Sequence, residues 1–245
     1  MVSVVGVIPA RGGSKSIPRK NIRVFLGKPL LAWTIEVAKE SGVFERLVLS
    51  TDDPEIAEAG RRYGAEVPAL RPNELAQDTS PTAPAVKHIL RVLQQQGGVA
   101  DIVVILEPTS PGRRPFHLRE VVELMLSTDA DSVASVSPIP HHYVPSKALE
   151  LEPDGTLRGL DGTHVRDMVH RRQDLPSSFA FNGIAYACRA GLLLCDSPTI
   201  WGTKVVGHVV DPKYSLDIDS PEDWLVAEAR VRRILQDEGE RNSDG

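Results

Sequence analysis

The chain has 245 residues, 41% of them hydrophobic and 25% charged, so it can bury one large core, and global disorder is excluded. Twenty-eight Lys and Arg against 33 Asp and Glu leave a net charge of −5, which excludes a general nucleic-acid-binding surface and leaves room for a local basic site. Cys188 and Cys195 stand alone, outside any CxxC or metal-ligand spacing, as expected of a reduced cytoplasmic protein. No apolar run approaches the roughly 20 residues that span a membrane, and the start has no signal-peptide pattern.

In chain order, two kinds of segment alternate. Short runs rich in β-branched residues predict buried strands at Val2–Ile8, Leu47–Leu49, Ile102–Leu106, Ser132–Val136, Ile184–Ala187 and Lys204–Val210. Helical spacing of apolar residues predicts helices over Leu30–Lys39, Pro54–Tyr63, Pro84–Gln96 and Leu118–Leu126. The alternation predicts an α/β fold with a doubly wound, mostly parallel sheet, in which ligands sit beyond the carboxyl ends of the strands. It breaks down over about 138–180, where five prolines and an Asp154-Gly155 turn predict a small β-extension or dimerisation arm from a single domain spanning 1–245. A last helix is expected from Pro221 to about Gln236, with a frayed tail over 239–245.

Two constellations carry chemistry. After the first strand, Arg11, Lys15, Arg19, Lys20 and Arg23 place five cations within thirteen residues of an acidic chain. Gly12 and Gly13 free the backbone there to turn its amides toward a ligand, and Ser14 adds a hydroxyl. Converging amides, arginine and lysine suit a polyphosphate, although the spacing is neither a Walker A loop nor a dinucleotide fingerprint. The plain alternative is a solvated basic turn. The second constellation is Asp217-Ile218-Asp219. In an extended segment both carboxylates face one side with Ile218 inward, which suits Mg2+. The competing role is capping, since Ser220-Pro221 is a good helix start with Ser220 or Asp219 as N-cap. Asp52 and Asp53 before Pro54 read as helix-start residues, and the adjacent His141-His142 as loop surface rather than metal ligands. Arg71-Pro72 and Glu107-Pro108 follow apolar runs, near the ligand edge of the sheet.

In order along the chain stand Ala10-Arg11, Ser14-Lys15, Pro18, Lys20-Asn21, Ser50-Thr51-Asp52, Arg71-Pro72, Asp78-Thr79, Pro108-Thr109-Ser110-Pro111, Arg172-Gln173, Asn182-Gly183 and Asp217-Ile218-Asp219. With these motifs the chain resembles, from about Val4 to Glu228, the CMP-sialic acid synthetases (acylneuraminate cytidylyltransferases) and relatives that activate other nine-carbon acidic sugars. The resemblance implies a cytoplasmic homodimer that joins CMP from CTP to the anomeric hydroxyl of an acidic 2-keto sugar such as N-acetylneuraminate or legionaminate, releasing pyrophosphate. It implies catalytic roles for Arg11, Lys20 and Asp217, and nucleotide contacts from Arg11, Gly12, Gly13, Ser14, Lys15, Lys20, Asn21, Arg71, Asp78, Ser80 and Thr82. Mg2+ would be held by Asp217 and Asp219, where it would lower the pKa of the attacking hydroxyl. Sugar contacts would come from Glu107, Arg172, Asn182 and Tyr186.

The sequence departs from the sialate pattern at two places. Glutamine is common where Glu107 stands, and a carboxylate there calls for a partner such as Arg113 or Arg114. Phe179-Ala180-Phe181-Asn182 is also more apolar than the family's usual run, which suits a deoxygenated sugar. Rival readings are transfer from another nucleotide such as GTP, a D-x-D glycosyltransferase, and an inactive binding subunit.

Overall fold

The structure, a computed structural model, describes residues 2–168, 171, 175 and 177–243. Its first strand, β1 (Val4–Pro9), sends side chains alternately to two faces. Val4 and Ile8 enter one core, and Val5 and Val7 enter another. Two buried faces explain the unbroken apolar run. After a two-stranded ribbon, β2 (Val24–Phe25) and β3 (Lys28–Pro29), come α1 (Leu30–Ser41), β4 (Arg46–Ser50), α2 (Pro54–Tyr63), α3 (Thr82–Gln95), β5 (Ile102–Ile105), α4 (Pro115–Ser127) and β6 (Ser132–Pro138). The hairpin β7 (Leu149–Leu151) and β8 (Leu157–Gly159) follows, then β9 (Phe179–Arg189), α5 (Ala190–Leu194), β10 (Val205–Val209) and α6 (Pro221–Ser243). Helices α1, α2 and α4 supply one core, and α3 and α5 the other.

The main sheet has the order β10-β6-β9-β5-β1-β4. β4-β1-β5 and β10-β6 pair in parallel, as expected, while β9 lies antiparallel to both β5 and β6. That strand is longer than its predicted apolar centre and enters from the irregular 138–180 segment, so its direction was not bound by a strand-helix-strand crossover. From β1 the chain moves outward to β4 and then returns through α3 to β5 on the other side of β1. The crevice at the carboxyl ends of β1 and β5 is therefore the switch point of the sheet. The last helix, expected to end at about Gln236, continues to Ser243, and residues 244 and 245 of the expected frayed tail lie outside the described residues.

A third, smaller core positions the site. Ile17 from the loop after β1, Phe25 from β2, Leu30, Leu216 and Ile218 pack with Trp224, Ala227 and Val231 of α6. Phe25 meets Trp224 edge-on at 5.3 Å and Trp33 at 5.9 Å. This cluster brings the loop of residues 11–21 against residues 216–219, some two hundred positions later in the chain.

Candidate active site

The loop after β1 is shaped by acidic residues at the start of α2. Asp53 is the N-cap of that helix and accepts from the amides of Glu55 and Ile56, as its sequence position predicts. Asp52 is not a cap. Its carboxylate accepts the Gly12 N–H at 2.9 Å, so the Gly12 amide is turned into the protein. A side chain at Gly12 would place Cβ 2.9 Å from Asp53 Cβ, and only glycine permits that approach. Arg19, in the left-handed region at φ 54°, pairs with Asp53 at 3.1 Å and Glu55 at 2.9 Å. Asn21 is buried and donates to the Arg11 carbonyl at 3.0 Å. Gly12 and Asn21 thus hold the loop by their polar groups, and Arg11, Gly13, Ser14, Lys15, Lys20 and Asn21 itself line a cleft of about 510 Å³.

The acidic pair enters the same cleft. Ile218 is fully buried in the third core, and its amide donates to the Thr109 carbonyl at 3.1 Å. Asp217 and Asp219 accordingly face outward on one side, and both line the cleft. Neither caps α6. Ser220 does, with its hydroxyl accepting the Asp223 N–H at 3.1 Å and the Asp223 carboxylate accepting the Ser220 N–H at 2.8 Å. Of the two residues expected as N-cap, Ser220 is therefore the one used, and the reciprocal cap leaves the Asp217 and Asp219 side chains in the cleft. Lys20 joins the two constellations, donating its Nζ to the Ile218 carbonyl at 2.6 Å and to Asp219 at 3.2 Å.

Arg71, buried, closes another wall. It donates to the Ser50 carbonyl at 2.7 Å and the Ser50 hydroxyl at 3.2 Å. Burial pulls its pKa down, the Asp52 charge raises it, and Arg11 lowers it further. Gln77, Ser80 and Thr82 line the cleft beside it. Asp78 instead turns its carboxylate onto Arg11 and Lys15.

At the opposite end, half-buried Glu107 lines the cleft from the end of β5. Burial first, then the charge of Asp217, pushes its carboxyl above the usual range, while Arg113 opposes this. Asp217 is raised by desolvation, against a hydrogen bond from Thr109, and raised again by Asp219. The expected partnering of Glu107 is corrected. Arg113, fully buried, donates to the main-chain carbonyls of Glu107 at 2.7 Å and Gly183 at 3.0 Å, and to the Thr34 hydroxyl at 2.7 Å. Arg114 pairs with Glu238 at 3.0 Å. Arg113 therefore positions the backbone under Glu107 without neutralising it by direct contact. Gly183, at φ 69°, packs its α-carbon where a Cβ would lie 2.6 Å from the Ser110 hydroxyl.

Asn182 and Tyr186 sit outside the cleft lining. Asn182 is buried and donates to the Ser137 hydroxyl at 2.9 Å, and the Tyr186 hydroxyl accepts the Gly183 N–H at 3.1 Å. Burial pushes the Tyr186 phenol up to about 12, helped by the Glu107 charge. Phe181 stacks on Trp201 at 5.1 Å, with Tyr186 edge-on to both, making an aromatic wall next to β9. Arg172 lies outside the described residues. The rings of His141 and His142 lie 3.7 Å apart in a loop.

The cleft thus has a cationic end, Arg11, Lys15 and Arg71, and an acidic end, Glu107, Asp217 and Asp219, with Lys20 between. Mutual repulsion at the acidic end is what a hard cation relieves. Among the described residues no three Asp, Glu, His or Cys form a ready-made metal cage. Two carboxylates fit Mg2+ nonetheless, since it keeps waters and completes its shell with substrate phosphates. Sequence reading missed Asp52 as an anchor of Gly12, Thr109 as the partner of Asp217, and Arg113 as the support of Glu107. The Arg113-Arg114-Pro115 run before a helix was the available signal for the last.

A family model described as cytidylyltransferase matches residues 5–145. The chain is 36% identical over 226 residues to the CMP-N,N'-diacetyllegionaminic acid synthase of Legionella pneumophila, covering 92% of this chain and 94% of that protein. It is 35% identical over 231 residues to N-acylneuraminate cytidylyltransferase A of Danio rerio, covering 94% of this chain and 51% of that longer protein. Among solved structures, a CMP:2-keto-3-deoxy-manno-octonic acid synthetase complexed with CTP superposes with TM-score 0.70 at 18% identity, over 96% of this chain and 99% of that one, which shows a shared fold. Extent of match and level of identity together make the chain a member of the cytidylyltransferase family.

Proposed function

We propose that the chain transfers CMP from CTP to the anomeric hydroxyl of a nine-carbon acidic 2-keto sugar, N-acetylneuraminate or a relative such as legionaminate, and releases pyrophosphate. The observation that carries this reading is the meeting, in one cleft at the switch point of the sheet, of the Arg11–Lys20 loop with the Asp217/Asp219 pair through Lys20. Attack of the hydroxyl oxygen on the α-phosphorus forms one P–O bond, while the bond to the β-phosphate oxygen breaks with its electron pair. Little else is asked of a protein than alignment and charge compensation. Arg11, Ser14, Lys15 and Lys20, with the Gly13 amide, take the triphosphate charge. Arg71, Ser80 and Thr82 face the nucleoside, and Gly12 and Asn21 keep the loop in shape. Asp217 and Asp219 would hold Mg2+, which supplies charge neutralisation of the phosphates when bound. The sugar lies toward Glu107, with Asn182 and Tyr186 on the side of the aromatic wall, and Arg172 is proposed as a further sugar contact by family resemblance alone. Phe181 and Trp201 favour a sugar bearing an apolar substituent there.

The excursion over 138–180 serves as the dimerisation arm. Tyr143 is 78% exposed, Leu151 69% and Leu160 63%. Several exposed large side chains within one short segment are consistent with an interface.

The test is pyrophosphate release with Mg2+, crossing CTP, GTP, UTP and ATP against a panel of nine-carbon acidic sugars. Release with CTP that requires one of these sugars is expected. Release with GTP alone would overturn the nucleotide assignment and leave the phosphate and acidic-pair assignments in place. A sugar transferred from a ready-made nucleotide sugar would instead make the chain a glycosyltransferase.

A further inference from the structure

The cations of the cleft are held in two different ways. Arg71 rests on the main-chain carbonyl of Ser50, and Lys20 on that of Ile218, with the Asp219 carboxylate as a second partner at 3.2 Å. Arg11 and Lys15 rest on one carboxylate from a different loop. Asp78 Oδ1 meets Arg11 Nη1, and Oδ2 meets Lys15 Nζ at 2.5 Å. Among the described residues, Asp78 is the one carboxylate with which either cation forms an ion pair. Each oxygen is on a different cation, as the oxygens of a bridging phosphate would be. Hydrogen bonds from Lys15 and then Arg11 hold the Asp78 carboxyl below the usual range. Its neighbours Gln77 and Ser80 line the cleft, and Asp78 itself stands just outside the lining. Lys15 is 84% exposed, and the Asp78 carboxylate is the group its ammonium meets at the rim of the cleft.

We propose that Asp78 is an internal counter-ion that occupies the polyphosphate's place on Arg11 and Lys15, and that it sets polyphosphate affinity by having to be displaced. This rests on reading the 11–21 loop as the polyphosphate cradle. Binding is then an exchange of one anion for another on the same two cations. The loop keeps its geometry in the empty cleft, and the returning carboxylate favours departure of pyrophosphate after transfer. This role differs from the nucleoside contact that the family resemblance implies for Asp78.

The test is calorimetric titration of inorganic tripolyphosphate into wild-type protein, Asp78→Asn and Asp78→Glu, without nucleotide, sugar or metal, at several salt concentrations. Each exposed ion pair is worth a factor of about 1.4 to 5, so the two together give Asp78→Asn roughly two- to twenty-five-fold tighter binding. Asp78→Asn is also expected to show a steeper fall of affinity with salt, because a cation freed of its internal partner is open to screening. Asp78→Glu restores the wild-type affinity. Unchanged or weaker binding by Asp78→Asn overturns the proposal, and weaker binding is the result of a carboxylate that merely braces the loop. Failure of all three proteins to bind tripolyphosphate overturns the cradle reading and this proposal with it, which separates the two failures.

Discussion

Residues 11–23 and the described residues of 138–180 are both poor in regular structure, yet they are fixed by opposite means. The first segment drops Ile17 into the third core, ties Gly12 to Asp52, Arg19 to Asp53 and Asn21 to its own Arg11 carbonyl, and needs nothing beyond this chain to hold its shape. The second turns Tyr143, Leu149, Leu151, Leu157 and Leu160 outward, around a hairpin whose own strands bury little. Irregular backbone is well defined where an apolar anchor and paired polar groups coincide. Where apolar side chains face outward, the missing anchor is expected on another molecule, which is why the arm is read as an interface.

The largest effect is expected from breaking the chemistry of the anchored segment. Asp217→Asn should lower CTP-dependent pyrophosphate release by more than about a hundredfold, since even outer partners of a bound metal are worth 10–100-fold. Turnover unchanged at saturating Mg2+ would refute its assignment. Ile218→Ala removes the side chain that sends Asp217 and Asp219 to the cleft. It should cost about 2–5 kcal/mol in urea unfolding, as expected of a fully buried residue, and lower activity in parallel.

A third prediction concerns acid. His117 is buried, and its Nδ1 accepts the Arg114 N–H at the start of α4. Burial, with the neighbouring His208, pulls its pKa to about 3 from 6.5. The unfolded chain therefore binds a proton between those values that the folded chain refuses. Stability should be constant above pH 6.5 and fall below it by up to about 1.4 kcal/mol per pH unit from this residue. His117→Gln should flatten that slope in denaturation curves taken from pH 7 to 4. The smallest effect on stability belongs to the arm. Leu151→Lys should leave unfolding within about 0.5 kcal/mol of wild type, as for other exposed positions, while shifting sedimentation of the proposed dimer toward monomer. A dimer that persists unchanged would remove Leu151 from the interface.

What the sequence discloses follows the same division. Buried strands and the helix starts at Pro54 and Pro221 are legible because periodicity and caps are local. So is the outward pairing of Asp217 and Asp219, which depends only on Ile218 being apolar between them. The antiparallel direction of β9 is not local, since it is set by how the chain returns from 138–180. The partners of Glu107 are not legible either. Arg113 is adjacent in sequence, but whether it reaches the Glu107 carboxylate or its carbonyl is decided by Thr34, Gly183 and Ile184 from other elements. Asp52 illustrates the same limit, since its place before a helix conceals a bond to Gly12 forty residues earlier.

The most direct test of the whole account is a crystal structure of the chain with CTP and Mn2+, with the metal located by its anomalous signal. The account predicts manganese coordinated by Asp217 and Asp219, with the triphosphate lying over the 11–21 loop on Arg11 and Lys20. Nucleotide bound elsewhere, or manganese that touches neither carboxylate, would contradict it.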